Sequence, residues 1–249
     1  MLILLPPSET KSPRTRGRAT DPATLSFPEL AGARRTVQAA LAEVSGRPDA
    51  ADLLGVPPSL VEDLRRNTEL AGSPATPVGE FYTGVLYDAL DLPTLTGPAR
   101  RRANAWLVVV SAAFGALRMT DRVGAYRLAM DVDLPGVGRL GPWWRPHLDA
   151  PLTAAAGTGP VVDCRSSTYA TAWRPTGAVA RRWVQVVVPG ASHWAKHTRG
   201  LVARHLCEHG SSARTPRALA EELSSAFEVE LTPPVREGQP WQLATTPPA

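Results

Sequence analysis

The sequence contains little cysteine and has no long apolar run. Its 249 residues include two cysteines, Cys164 and Cys207, which are too few and too far apart for a disulfide framework or a cysteine-based zinc site. We therefore expect both to be small buried residues. A membrane helix needs roughly 18 to 20 apolar residues, and the opening run 1–5 ends at Pro6 with no basic residue before it. These absences predict a cytoplasmic protein without a membrane partner.

Lysine is also scarce. Of the 27 basic residues, 25 are arginines and two are lysines, Lys11 and Lys196. This ratio indicates a compositional drift that replaces lysine by arginine wherever only a positive charge is needed. A lysine that remains is a candidate for a role that needs its amine, because an amine can shift its pKa and act as a nucleophile. The net charge of +4 is compatible with an anionic partner but does not identify one.

Short apolar runs alternate with helical patterns along the chain. Four runs predict buried strands: 1–5, 106–111, 160–164 and 179–188. Helical patterns such as 192–209 lie between and after them. This order predicts an α/β fold with a mixed central sheet flanked by helices. We expect one domain over residues 1–249, with a flexible loop at 13–24, where Pro, Arg, Thr and Gly are frequent.

Several local patterns make predictions of their own. Residues 80–90 have the pattern of a single helix, and residues 125–130 that of a weak strand. Ser59 is a plausible N-cap, and Glu62 three residues later would complete a capping box. Gly141-Pro142 is expected to interrupt a second helix directly after residues 134–138.

Polar residues follow three of the predicted strands, at the positions where α/β sheets usually bind ligands. Ser8-Glu9-Thr10-Lys11 follows the first strand and contains one of the two lysines. Ser111 ends the second strand, and Ser166 and Tyr169 follow the third. No Gly-rich stretch precedes Lys11, so a phosphate-binding P-loop is excluded. An ordinary polar loop with a solvated lysine is the alternative interpretation of the first segment.

A second basic cluster, residues 196–200, lies on the predicted helix 192–209. The helical pitch brings Lys196 and Arg199 towards one face. His193 and His197 are four residues apart, which is also a metal-ligand spacing, but no third ligand is evident. We therefore expect an anion site here and no metal.

Tyr126-Arg127 suggests another contact with an anionic ligand. An arginine beside an aromatic ring can hold a phosphate or carboxylate while the ring stacks on a base. Tyr126 could equally be a core residue whose hydroxyl is hydrogen-bonded.

Two segments have features of DNA-binding hairpins. Residues 134–138 (LPGVG) spell the hairpin of a helix-hairpin-helix motif, but Gly141-Pro142 follows too closely for its second helix. Residues 53–56 (LLGV), followed by a helical pattern, are the better candidate. Their glycine turn could present backbone N–H groups to a phosphate, although Pro57 and Pro58 remove two donors.

Five segments occur in the order in which one known family has them. They are residues 1–11 (MLILLPPSETK), 82–84 (YTG), 111–128 (from Ser111 through Tyr-Arg-Leu), 161–169 (VVDCRSSTY) and 196–200 (KHTRG). Together they resemble the peroxide-stress YaaA family over roughly residues 1–232. The chain departs from the family at Thr168, where many relatives are acidic, so no acid/base or metal role is carried over to that position.

The resemblance implies a cytoplasmic protein of the oxidative-stress response. It also implies that the protein limits free iron and binds DNA through a basic cleft, on an α/β fold with a helix-hairpin-helix-like element. Three positions are candidate catalytic residues: Lys11, Lys196 and Tyr169. Nine are candidate residues for binding an anion or another ligand: Ser8, Tyr82, Thr83, Ser111, Tyr126, Arg127, Ser166, His197 and Arg199. No cofactor is expected.

Two functions remain open. In the first, a stress protein binds DNA phosphates through Lys11, Arg127, Lys196 and Arg199. In the second, an enzyme (a lyase, hydrolase or transferase) uses Lys11 or Lys196 as a base or nucleophile on a small anionic or nucleobase-like metabolite. Direct iron storage is a weaker third alternative, because the five histidines form no visible di-iron pattern. The oligomeric state is left open.

Overall fold

A seven-stranded mixed sheet forms the centre of the computed structural model, which describes residues 1–189 and 192–246. The strands of the described residues are β1 (Leu2–Leu5), β2 (Thr76–Pro77), β3 (Leu107–Ser111), β4 (Gly115–Arg118), β5 (Arg122–Val123), β6 (Asp133–Leu134), β7 (Gly138–Arg139), β8 (Val161–Asp163), β9 (Trp183–Val187), β10 (Glu228–Thr232) and β11 (Trp241–Thr246). The central sheet has the order β10-β11-β9-β8-β1-β3-β4. This architecture confirms the predicted α/β class.

The strand directions decide where the sheet can bind a ligand. β1 is parallel to both β3 and β8, and β8 is parallel to β9. The antiparallel strands β4 and β10 lie at the two edges of the sheet. The carboxyl ends of β1, β3, β8 and β9 therefore meet at one edge of the sheet, which brings together the polar segments that follow them.

Helices pack around this sheet. They are α1 (Ala31–Ser45), α2 (Ala50–Leu54), α3 (Glu62–Thr68), α4 (Val78–Phe81), α5 (Val85–Leu90), α6 (Gly97–Trp106), α7 (Leu140–Ala156), α8 (Ser167–Ala170), α9 (Gly177–Ala180), α10 (Ser192–His209) and α11 (Pro216–Leu223). All four residues of β1 are fully buried, as are the five of β3. Their consecutive apolar side chains fit a parallel sheet that is covered on both faces.

The helices α5 and α10 cross closely because Gly200 has no side chain. A Cβ atom at this position would collide with the carbonyl oxygen of Leu86 and would lie 2.8 Å from the Cβ of Ala89. Gly200, which sequence analysis placed in a candidate site segment, therefore has a packing role in the structure.

Two of the local predictions fail at segments whose backbone is hydrogen-bonded to residues far away in the sequence. Residues 80–90 form α4 and α5 instead of one helix, because the intervening backbone at Thr83 donates to the carbonyl of Thr10. Residues 125–130 are not a strand. There the backbone of Arg127 is held by the side chain of Asn67 instead of a strand partner.

The prediction for Ser59 is wrong as well. Ser59 lies in a 3-10 turn (Pro58–Leu60), while α3 begins at Glu62 after Val61, so the two residues form no capping box. Gly141-Pro142 does not interrupt a helix, since α7 runs from Leu140 to Ala156. Pro142 is tolerated because it lies in the first turn, where a backbone N–H has no partner within the helix.

The two hairpin candidates have different structures. Residues 134–138 span the turn of the two-stranded hairpin β6–β7, which leads directly into α7. Residues 53–56 contain the end of α2, and Gly55 there adopts a left-handed conformation with φ of 60°. A helix-hairpin-helix element is not confirmed by this arrangement and stays a prediction.

Two predictions rested on the scarcity of cysteine and on the lack of a long apolar run, and both can be compared with the structure. Cys164 and Cys207 are both buried and unpaired, and burial raises the pKa of each thiol to about 12. Both are therefore small buried residues, as expected. Among the described residues, we find no helix that is long and apolar enough to span a membrane.

Candidate functional site

The loop after β1 is held in place by backbone hydrogen bonds. The N–H of Ser12 donates to the carbonyl of Phe81 at 2.8 Å, and the N–H of Thr83 donates to the carbonyl of Thr10 at 3.2 Å. Lys11 and Tyr82 face each other in this short antiparallel bridge. The loop is thus fixed relative to Tyr82, and Lys11 has a defined position although it lies outside the sheet.

Gly84 permits the close approach of this loop. Its φ of 95° and ψ of 177° fall in a region that is nearly exclusive to glycine. A Cβ atom there would lie 2.9 Å from Thr10 Oγ1 and 3.3 Å from Ser8 Oγ. These two hydroxyls are 3.0 Å apart, and Thr10 Oγ1 also donates to the carbonyl of Thr83 at 3.2 Å. Ser8 and Thr83 therefore shape the loop around Lys11.

Three hydroxyls form a buried chain beneath the loop. The hydroxyls of Tyr82 and Tyr126 are 2.8 Å apart, and that of Tyr126 is 2.8 Å from Ser111 Oγ. We call Ser111, Tyr126 and Tyr82 the hydroxyl chain. All three side chains are buried, with at most 3% of their surface exposed.

The hydroxyl chain has a preferred direction. Ser111 Oγ accepts hydrogen bonds from the backbone N–H groups of Ala113 at 3.3 Å and Phe114 at 3.2 Å. With its lone pairs occupied, the Ser111 hydroxyl donates its proton to the Tyr126 hydroxyl, and the Tyr126 hydroxyl donates to that of Tyr82. This direction leaves the phenolic proton of Tyr82 at the end of the chain. Among the described residues, no acceptor takes that proton.

Burial keeps these phenols neutral. It is the main cause that raises the pKa of both Tyr82 and Tyr126 well above the usual value. Tyr126 was predicted either to stack on a base or to be a core residue, and the core interpretation describes its position. Because its hydroxyl is hydrogen-bonded and its ring is covered by Lys11, it offers no open face to a base.

The Lys11 ammonium lies over the two phenol rings. Its Nζ is 5.0 Å from the centre of the Tyr126 ring and 6.0 Å from that of Tyr82. Its one hydrogen bond among the described residues goes to the backbone carbonyl of Glu9, at 3.3 Å. The pKa of Lys11 is lowered to about 8, mainly by burial and next by the nearby Arg127 guanidinium, while Glu9 and Asp63 act in the opposite direction. More of this amine is therefore neutral near physiological pH than of a lysine with the usual pKa.

Arg127 is the second cation of this cluster and is anchored through its backbone. Asn67 accepts from the N–H of Arg127 at 2.7 Å and donates to its carbonyl at 2.9 Å. The guanidinium is 3.5 Å from the carboxylate of Asp63 and 3.7 Å from that of Glu9. Sequence analysis did not identify Asn67 or Asp63. The one available signal for Asn67 was that the chain contains only two asparagines.

We define the Lys11 cluster as Lys11, Tyr82, Ser111, Tyr126 and Arg127. Tyr169 lies at its border. Burial raises the pKa of the Tyr169 phenol, and the nearby Tyr126, Asp131 and Glu9 raise it further. The structure thus brings most of the predicted strand-end residues into one neighbourhood.

The segment that follows β8 is held by a buried ion pair, unlike the Lys11 cluster. Asp163 and Arg165 are fully buried and form a two-pronged ion pair, with distances of 2.8 and 2.7 Å. Arg165 also donates to the carbonyls of Tyr169 at 3.3 Å and Trp173 at 2.9 Å. This pair, which sequence analysis missed, fixes the segment that carries Ser166 and Tyr169. Ser166 itself is the residue before α8, and its side chain does not cap that helix.

The predicted residues of α10 do not join the Lys11 cluster. Lys196 is exposed and makes no hydrogen bond or ion pair with any described residue. The Arg199 side chain instead donates to the carbonyl of Val186 in β9, at 3.1 Å. The His197 ring packs edge-on against Trp194, and its buried Nδ1 has no partner among the described residues. A ligand role for these three residues stays a prediction.

The structure contains no candidate metal site within its described part. No group of three or more His, Cys, Asp or Glu side chains converges there. The side chain of His193, one of the two histidines with metal-ligand spacing, lies outside the described residues.

Comparison with known proteins gives the family of the chain. The model of the family described as "Peroxide stress protein YaaA" matches residues 1–230. The chain belongs to this family. A UPF0246 protein of Streptomyces coelicolor is 44% identical over 252 residues, covering 98% of this chain and 97% of the relative. A UPF0246 protein of Corynebacterium efficiens is 38% identical over 227 residues, covering 89% of this chain and 91% of the relative.

For this YaaA-family chain, the Lys11 cluster combines three chemical properties. Two cations, Lys11 and Arg127, can bind an anion. The partly neutral amine of Lys11 can act as a base or nucleophile. The neutral phenol of Tyr82 can donate a hydrogen bond or a proton.

Proposed function

We propose that this YaaA-family protein acts in the response to peroxide stress by binding nucleic-acid phosphates at the Lys11 cluster, and that it helps to limit free iron. The observation that carries the proposal is the pairing of Lys11 with Arg127 at the carboxyl edge of the sheet. Binding through phosphates supplies affinity without sequence preference. Lys196 and Arg199 are not needed for the proposal.

The charges around Arg127 support phosphate binding. Its partner Glu9 is 92% exposed and 3.7 Å away, which describes a weak surface ion pair that an entering phosphate can replace. A phosphate between Arg127 and Lys11 would also offset the repulsion that lowers the pKa of Lys11. Anion binding therefore relieves an unfavourable interaction of the free protein.

The proposal is tested by titrating the protein with a labelled single-stranded oligonucleotide between about 50 and 200 mM salt. We expect Arg127→Ala and Lys11→Ala to weaken binding for all sequences, and each to reduce the slope of log affinity against log salt by about 1. Arg236→Ala is the matched control, since Arg236 is exposed between β10 and β11, at the other side of the sheet. If all three variants bind the oligonucleotide with the same affinity and the same salt dependence, the proposal is rejected.

The iron part of the proposal is tested in cells that lack the gene. Complementation with the wild type is expected to lower free iron after peroxide exposure, as seen by electron paramagnetic resonance. Complementation with Arg127→Ala is expected to fail although the variant protein accumulates to the same level. Full rescue by Arg127→Ala would separate the iron effect from the Lys11 cluster.

A second candidate function, an enzyme acting on a small anionic or nucleobase-like metabolite, is favoured by one observation. Phosphate binding gains nothing from a lowered lysine pKa, whereas the pKa of Lys11 is lowered to about 8 beside phenols that stay neutral. A lowered lysine pKa beside a proton donor is typical of active sites. The reaction class remains that of a lyase, hydrolase or transferase.

A further inference from the structure

We propose that Lys11 forms an imine with the carbonyl group of a phosphate-bearing aldehyde or ketone, while Arg127 binds the phosphate and Tyr82 acts as the proton donor. This inference rests on the second candidate function and names its substrate class. It concerns covalent chemistry, which binding of nucleic-acid phosphates does not require.

The surroundings of Lys11 leave its amine available for reaction. Its Nζ has one hydrogen bond among the described residues, a 3.3 Å contact to the carbonyl of Glu9. The nearest rings, Tyr126 and Tyr82, contact it through their faces, at 5.0 and 6.0 Å from their centres. No carboxylate among the described residues forms an ion pair with it, so no partner fixes its charge. An amine of this kind is desolvated and can lose its proton.

Besides a reactive amine, imine formation requires a group that holds the substrate beside it. The carbonyl carbon itself has no charge that the cluster could attract, so affinity must come from another part of the substrate. Arg127 is the neighbouring cation, and its backbone is fixed by the buried Asn67. Its guanidinium presents a fork of donors that matches a phosphate. The substrate is thus expected to carry its phosphate a short distance from its carbonyl group.

Imine formation also requires a proton for the substrate oxygen, which leaves as water. The hydroxyl chain runs from Ser111 through Tyr126 to Tyr82, and the proton of Tyr82 has no acceptor among the described residues. A buried phenol that stays neutral can give this proton and be restored through solvent or through the chain.

The atoms balance without a further reactant. The lone pair of the neutral amine forms a C–N bond with the carbonyl carbon as the C=O π bond breaks, and one of the two amine protons moves to the oxygen to give a carbinolamine. Tyr82 then protonates the carbinolamine hydroxyl, which leaves as one water molecule while the C=N bond forms. The remaining proton on nitrogen returns to the Tyr82 phenolate. No electron is transferred to or from the protein. The imine can then be hydrolysed, or it can stabilise a carbanion on the neighbouring carbon.

The two-lysine composition makes the test unusually selective. The probe is pyridoxal 5′-phosphate, which carries an aldehyde and a phosphate. The intact protein is incubated with it at limiting concentration, reduced with borohydride and mapped by mass spectrometry of its peptides. Three amines compete: Lys11, Lys196 and the N-terminus of Met1. We expect about tenfold more adduct on Lys11 than on the exposed Lys196, because Arg127 and Tyr82 beside Lys11 hold the probe and supply the proton.

Variants and related probes assign each role. Lys11→Arg is expected to abolish the adduct at position 11, which fragment spectra distinguish from an adduct on the Met1 amine of the same peptide, whereas Lys196→Arg keeps it. Arg127→Ala and the phosphate-free probe pyridoxal are each expected to slow labelling of Lys11. Tyr82→Phe is expected to slow imine formation without weakening the binding of pyridoxamine 5′-phosphate, which has no aldehyde. The labelling rate of Lys11 is expected to rise with pH and to reach half its maximum near pH 8, the pKa of Lys11.

Equal labelling of Lys11 and Lys196 in the wild type would overturn the proposal without the use of any variant. Competition by pyridoxamine 5′-phosphate against the oligonucleotide separates this failure from failure of the anion site. If that compound displaces the oligonucleotide and no adduct forms on Lys11, the anion site stands and the imine is rejected. If it displaces nothing and no adduct forms, both the anion site at the Lys11 cluster and the imine are rejected.

Discussion

Lys11 and Arg165 are two cations at the ends of neighbouring parallel strands, and their surroundings are opposite. Arg165, after β8, is fully buried, forms a two-pronged pair with Asp163 and also donates to two backbone carbonyls. Lys11, after β1, has one backbone acceptor at 3.3 Å and no ion pair among the described residues. The same edge of the sheet thus holds one charge that is fully compensated and one that is not.

The difference separates a structural cation from a reactive one. A buried ion pair with all its hydrogen bonds made holds its segment rigidly, and neither partner is free to bind a ligand. An ammonium that is partly desolvated and lacks a counter-ion has a lowered pKa and gains when an anion arrives. The Asp163–Arg165 pair holds the chain at β8 in place, while the cluster at β1 is suited to chemistry.

The largest effect on stability is expected from breaking the ion pair between Asp163 and Arg165. Asp163→Ala should destabilise the protein by about 3 to 5 kcal/mol, because it leaves the Arg165 charge buried without a partner. Urea unfolding followed by tryptophan fluorescence measures this loss. The double variant Asp163→Ala with Arg165→Met is the control, and it should recover part of the stability. A single variant as stable as the wild type would show that Arg165 is not held by this pair.

A smaller effect is expected at the anchor of Arg127. Asn67→Ala should cost about 1 to 3 kcal/mol, because the backbone N–H and carbonyl of Arg127 lose their buried partner. It should also weaken oligonucleotide binding, since Arg127 is no longer fixed. Asn104→Ala is the matched control, because the buried Oδ1 of Asn104 has no partner among the described residues. If both variants bind the oligonucleotide equally well, Asn67 does not position Arg127.

The smallest effect on stability is expected at Lys11. The pKa is lowered in the folded protein to about 8 and is near 10.5 when unfolded, so the unfolded chain binds more protons between these values. The stability contribution of Lys11 therefore rises with pH through this window. Solvent reduces the effect of a partly exposed group, and we expect on the order of 1 kcal/mol.

Lys11→Met tests this pH dependence. The variant should be more stable than the wild type at pH 7, and the difference should shrink by pH 10, as measured by urea unfolding at both values. Lys196→Met is the control, because it makes the same substitution at an exposed position on α10. A constant difference between Lys11→Met and the wild type at both pH values would show that the pKa of Lys11 is not lowered.

Much of the fold and part of the site could be predicted from local sequence. Consecutive apolar residues identified β1, β3, β8 and β9, because strands of a covered parallel sheet are buried on both faces. The predicted strand 179–188 was too long, since residues 179 and 180 belong to α9 and β9 begins at Trp183. The scarcity of lysine drew attention to Lys11, and polar residues after strands drew attention to Ser111. These signals lie within short stretches of sequence.

The partners of these residues could not be predicted in the same way. Asn67 reaches Arg127 across 60 positions, and Asp63 and Glu9 approach the same guanidinium from different segments. The failed helix at 80–90 and the failed strand at 125–130 have the same origin, since each segment bonds to a distant one. Hydrogen bonds between distant segments leave no periodic pattern in the sequence.

The sequence by itself determined the α/β class, the family and the two lysines that are candidates for a reactive amine. It could not distinguish these lysines from each other. The tertiary structure placed Lys11 over Tyr82 and Tyr126 beside Arg127, and it left Lys196 exposed on α10. The physical reason is that the pKa of an amine depends on its desolvation and on the charges around it. Both are set by residues that only folding brings together.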